Sequence, residues 1–159
     1  RVRRGSVVSD SWGVGKAIDA LHAGLLASPR LNGTISKKVQ VLDAWPIDNQ
    51  ELECIWIADA DNRPTVAGFR GGSRIHYNDD YSLDVFTEVR GPGKAAKQVR
   101  DRALELNREV ELFVAENTKL GVATGVSGAR LQSSTLAQFP GESGRVALIR
   151  NIVHISGRR

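Results

Sequence analysis

From Ala96 to Phe113 the chain sets apolar residues at helical steps: Ala96, Val99, Ala103, Leu106, Val110 and Phe113. The residues between are mostly Lys, Arg, Glu, Gln and Asn. Such a stripe predicts one long amphipathic helix with a single face to bury. Alanine at two of the stripe positions allows a close approach to a flat partner. A coiled coil would need more heptads than this segment holds, so the helix is expected to pack on a sheet.

The strand to receive it lies just before. Tyr81, Leu83, Val85, Thr87 and Val89 alternate with Ser82, Asp84, Phe86 and Glu88, the period of a half-buried strand. Gly91-Pro92-Gly93 then breaks the pattern. Leu52–Ala58 is a short apolar run rich in branched and aromatic residues, so it reads as a central strand. Ile35, Val39 and Val41 alternate with polar neighbours and predict a further strand. Asp43–Gln50 reads as a loop. Asp59–Gly72 is rich in Asp, Asn, Pro and Gly and reads as a long connection, a projecting loop or loose hairpin.

Near the start, Val14, Ile18, Leu21 and Leu25 form a second helical stripe, capped by Asp10 or Ser11 and stopped at Ser28-Pro29. After the long helix come two late strands, Val122–Leu136 and Arg145–Ile155, around a turn at Phe139–Gly144. Helices and strands segregate. The expectation is an α+β fold, a mixed or antiparallel sheet of about four to five strands with both helices on one face. Residues 1–12 read as a flexible arm, 13–156 as one domain and 157–159 as a basic C-terminal end.

A chain of 159 residues with 41% hydrophobic and 25% charged residues is the size and composition of one globular domain, which excludes intrinsic disorder. The longest apolar stretch, around Cys54–Ala58, is too short to span a bilayer as a helix, so no membrane partner is expected. The basic start lacks the apolar core of a signal peptide, and secretion is not expected. No methionine is present, which fits a processed or trimmed chain. The formal charge of +4 is concentrated at the ends, in Arg1, Arg3, Arg4, Arg158 and Arg159. Less these five, the 22 basic residues fall one short of the 18 acidic ones. A dedicated nucleic-acid surface shows its basic stripe within the fold, and this body is close to neutral.

Motifs for chemistry are incomplete. Gly13-Val14-Gly15-Lys16 suggests a phosphate loop, but Asp10 stands where the first glycine belongs and Ala17 where a hydroxyl should follow the lysine. A helix start explains it better. His22, His76 and His154 match no zinc spacing, and one cysteine cannot complete a site. Asp59-Ala60-Asp61-Asn62 resembles the opening of a calcium loop, yet the glycine and terminal glutamate are absent at the required spacing, where Pro64 and Arg70 stand. Cys54 reads as a small buried hydrophobe rather than a nucleophile. No catalytic residue, cofactor or metal site is assigned, and an enzyme is not expected. The features that remain are aromatics and arginines in or beside loops and late strands. Trp45, Phe69, Arg70, Arg130 and Phe139 are the candidate contacts between subunits.

Four stretches carry a resemblance to a known family. They are Ile18-Asp-Ala-Leu-His-Ala-Gly-Leu-Leu, Asp80-Tyr-Ser-Leu-Asp-Val-Phe-Thr-Glu-Val, Ala103-Leu-Glu-Leu-Asn-Arg-Glu-Val-Glu-Leu and Gly144-Arg-Val-Ala-Leu-Ile-Arg-Asn-Ile-Val. Their content and order resemble the tail terminator proteins of long-tailed bacteriophages, over most of residues 14–156. The resemblance implies a homo-oligomeric ring, a hexamer, that caps the tail tube and stops its growth. It implies the major tail tube protein and a head-completion or connector protein as partners, with DNA only as cargo passing through the channel. It places the protein at the head–tail junction of a virion assembled in the host cytoplasm. Another connector ring, an adaptor or head-closure protein, is the near alternative. A small enzyme or a nucleic-acid-binding module with a cryptic site is the alternative of a different class. The family has no position-specific motif, so no functional residue is carried over from it.

Overall fold

A computed structural model describes residues 14–47, 50–62, 65–70, 74–120, 126–142 and 144–158, with 59–62, 65–70, 74–79 and 158 described by their backbone. The elements run α1 (Val14–Ala27), β1 (Gln40–Leu42), β2 (Glu53–Asn62), β3 (Thr65–Arg70), β4 (Arg74–Gly91), α2 (Ala96–Glu116), β5 (Val126–Gly141) and β6 (Gly144–Arg158). Five strands lie side by side in the order β1-β2-β4-β6-β5, and β3 also pairs with β4. β1 runs parallel to β2, and every other pairing is antiparallel. This is the expected α+β fold with a mixed sheet, one strand larger than expected.

Period-2 alternation sets the two faces of the sheet. On β4, Tyr81, Leu83, Val85, Thr87 and Val89 point to the helices and are buried. They meet Ile55 and Ile57 of β2 and Ala147, Ile149, Val153 and Ile155 of β6. From above come Ala17, Leu21 and Leu25 of α1 and Val99, Ala103, Leu106 and Val110 of α2. The α2 stripe is therefore the core face, as its spacing predicts. At the start of α2, the Gln98 side chain accepts a hydrogen bond from the Ala95 backbone N–H at 3.1 Å, half of a capping box. Where the helices meet, a side chain at Gly24 would run into the Phe113 ring at 2.0 Å, so glycine permits this contact.

Polar groups are built into this core. Asn107 of α2 and Asn151 of β6 are buried and exchange amide hydrogen bonds, Asn151 Nδ2 donating to Asn107 Oδ1 at 2.6 Å. Thr87 Oγ1 donates to Asn107 Oδ1 at 3.0 Å, and Ser134 Oγ to Asn151 Oδ1 at 2.7 Å. The group joins α2 to three strands at one register.

At the rim, Arg102 of α2 holds Glu53 of β2 with two parallel hydrogen bonds of 2.9 Å. The guanidinium keeps the Glu53 carboxyl below its usual 4.5, and burial opposes it only in part. A carboxylate depressed in the folded state adds stability that is complete above its unfolded value and is lost as pH falls through the folded one. Stability should therefore decline as pH falls below about 4.5, and Glu53→Gln should flatten that decline. Urea unfolding at pH 7 and pH 3 reads both effects.

Two segments depart from expectation. The strand expected through Ile35 is confined to Gln40–Leu42, and Ile35 is 69% exposed. Local hydrogen bonds win there: Asn32 Oδ1 accepts from the Thr34 N–H and hydroxyl, and Ser36 Oγ donates to the Arg30 carbonyl. The long connection of 59–72 is strand over most of its length. β2 continues to Asn62 and β3 follows, both antiparallel to β4. Only two strands remain beyond Asn78, the last β4 residue paired with β6. The hairpin reading of this segment is the one that holds. The turn expected at 139–144 is tighter, because β5 runs to Gly141 and pairs it with Gly144. Gly144 has φ +116°, and a Cβ there would lie 2.9 Å from Pro92 Cα. Gly144→Ala should cost about 2 kcal/mol in thermal or urea unfolding.

Candidate interaction surface

Register places the opposite face of the sheet residue by residue. Cys54, Glu88, Leu148 and Ala137 form one row across β2, β4, β6 and β5. Trp56, Phe86, Arg150 and Thr135 form the next. Asp84, Ile152 and Ser133 follow on one side, and Arg90, Val146 and Phe139 on the other. Ser82, His154 and Arg130 make a further row. Both helices lie on the other face, so this one carries no layer from the described residues.

Its centre is aromatic. Trp56 and Phe86 stack at 5.3 Å with 14° between their planes. Trp45 closes over them from the 43–50 loop, at 5.9 Å from Trp56 and 5.4 Å from Phe86, and is itself 51% exposed. Such rings contribute beyond their buried area. Below them Cys54, Trp56 and Ala58 are buried, flanked by Leu42 and Leu148. Burial, with Glu88 beside it, pushes the Cys54 thiol up to about 12. The thiol stays protonated and unreactive, a packing role as its sequence context indicates. The buried Trp56 N–H finds no acceptor among the described residues.

Several polar groups on this face are paired within it. Arg150 donates two hydrogen bonds to Asp84 Oδ2, the shorter at 2.6 Å. His154 Nε2 lies 3.6 Å from Asp80 Oδ1. Arg90 bridges Glu88 and Gln50. Beside that bridge, Phe139, Gly141, Glu142 and Val146 complete a shallow cleft of about 240 Å³. Pairing of this kind leaves the surface near neutral and mostly apolar at its middle, the composition of a protein contact more than of a nucleic-acid surface.

Three of the five candidate contacts fall on this face: Trp45 over the aromatic pair, Arg130 beside His154, and Phe139 at the cleft, 43% exposed. Phe69 and Arg70 lie on β3, paired with Ile75 and Arg74 at the far end of the hairpin. The structure thus divides the set between one face and one projecting arm. Trp56 belongs to this face and not to the main core, a placement the sequence analysis does not make. The signal was present, because Trp56 alternates with Ile55 and Ile57.

The other candidates for chemistry are dispersed. Val14 opens α1, so Gly15 and Lys16 are helical residues. His22 Nε2 meets the Val41 carbonyl at 3.2 Å. His76 lies within β4. Trp12, Asp10 and Ser11 lie outside the described residues. Among the described residues no group of three or more His, Cys, Asp or Glu is placed to hold a metal ion, and no helix is long and apolar enough to cross a membrane.

No protein-family model and no curated protein matches this sequence. A solved structure does match in three dimensions. It is a chain of the virion of a native gene transfer agent particle, and it superposes with a TM-score of 0.58 over 92% of this chain and 100% of that one. The two share a fold. At 15% identity the likeness lies in backbone architecture and not in conserved side chains.

Proposed function

We propose that this chain is a structural protein of a phage-like virion, a tail terminator whose copies form a ring that caps the tail tube. The observation that carries the reading is similarity of fold, over 92% of this chain, to a chain of a gene transfer agent virion, at a TM-score of 0.58. The surface described above supports it. A ring needs unlike patches that meet head to tail, and this chain offers an aromatic sheet face and a projecting hairpin on different parts of the molecule. A channel that passes DNA must not hold it tightly, which suits a body of nearly balanced charge. In this reading the ring is a hexamer, one rim meets the major tail tube protein and the other a head-completion protein. Its place is the head–tail junction, and it performs no catalysis.

Mass measurement in solution tests the ring. Sedimentation or mass photometry at micromolar concentration, alone and with tube protein, should show a closed species of about six 17.3 kDa chains. A single chain under both conditions contradicts the proposal.

A further inference from the structure

The sheet ends in two open edges that differ from one another. On one side lies β5, 16 residues long. Its start is covered, since the Ala129 N–H donates to the Thr118 carbonyl. From Gln132 to Pro140 every residue is exposed. The segment Leu131–Gly141 contains no charged residue and a single proline near its end. Soluble proteins blunt such edges with charge, proline or short length, and β5 carries none of these along its middle. On the opposite side, β1 covers only Cys54–Trp56 of β2. β2 beyond that point and β3 after it show no pairing on their outer side among the described residues.

We infer that the β5 edge of one copy pairs, strand to strand, with the β2–β3 edge of the next copy. Three successive antiparallel steps separate β2 from β5, so β5 runs opposite to β2. Copies related by rotation about an axis along the strands keep that relation, and the new ladder is antiparallel. Such a ladder satisfies the backbone donors and acceptors that each edge leaves to solvent. A second copy is the occupant because the same chain holds both members of the pair on opposite sides of one sheet, so every addition exposes the next edge until the ring closes. The inference rests on the ring reading and specifies which backbone segments join.

Amide hydrogen exchange on the assembled particle tests it. Between Gln132 and Gln138, alternate amides, those directed away from β6, should exchange about 100-fold more slowly in the assembly than in the single chain. Thr135→Pro and Leu136→Pro complete the test. One of these neighbouring positions directs its N–H outward and the other toward β6, so one variant keeps the folded monomer's circular dichroism. That variant should weaken assembly at least about 30-fold. Assembly of the folded variant at wild-type strength, or particles whose β5 amides exchange at the single-chain rate, overturns the strand pairing and leaves the ring standing. Absence of any particle, alone or on tubes, overturns both.

Discussion

Asn151→Ala should lower the unfolding free energy by about 3 kcal/mol in urea or thermal denaturation. The side chain is fully buried. It donates to Asn107 Oδ1 and to the Val85 carbonyl, and accepts from Ser134 and Asn107. Truncation removes one amide and takes a partner from the buried Asn107 amide and the Val85 carbonyl, where water cannot replace what they lose. Asn107 keeps Thr87 and Glu111 as partners, so the damage centres on the lost Asn151 amide itself. The two asparagines act as a unit. The double variant Asn107→Ala/Asn151→Ala should therefore cost less than the two single losses combined, as residues of one network do. A single-variant loss below about 1 kcal/mol, or strict additivity, would show that the network does not fix α2 on the sheet.

Alanine at both Trp45 and Phe139 should abolish assembly at concentrations where the wild-type chain assembles. Both are large, exposed and on the helix-free face. A buried aromatic anchor at a protein contact is worth about 2 kcal/mol or more, roughly 30-fold each. Trp45 lies over Trp56 of β2, and Phe139 lies two rows away on β5, across from Val146 and three strands from β2, so their effects should nearly add. Phe139→Ala alone should leave monomer stability almost unchanged. Trp45→Ala should cost a little through its contacts with Trp56 and Phe86. Size-exclusion chromatography with light scattering reads the assembly, and circular dichroism confirms the fold. Unchanged assembly of a folded double variant would remove this face from the contact.

Regular periodicity made most of the fold legible. The α2 stripe and the β4 alternation each predict a buried face, and Val99, Ala103, Leu106 and Val110 do bury against Leu83 and Val85. Where local composition and tertiary pairing disagree, composition misleads. Residues 59–62, Asp-Ala-Asp-Asn, are turn-forming types, yet alignment beside the 18-residue β4 makes them strand, and β3 follows in the same alignment. Ile35 failed in the other direction, because Asn32 and Ser36 offer the backbone nearer partners than a ladder. The Asn107–Asn151 pair left no trace in sequence. An asparagine on a helix's apolar margin looks exposed until the strand beneath supplies a second one. Trp45, Arg130 and Phe139 were readable as contact types, but their gathering on one face depends on strand order, which no local pattern encodes.

Electron microscopy of tubes grown from the cognate tail tube protein, with and without this chain, tests the central claim most directly. The account predicts a ring of about six subunits at one end of each tube, and tubes that stop lengthening once it is added. Tubes that keep growing with bare ends, while the chain remains free in solution, would contradict it.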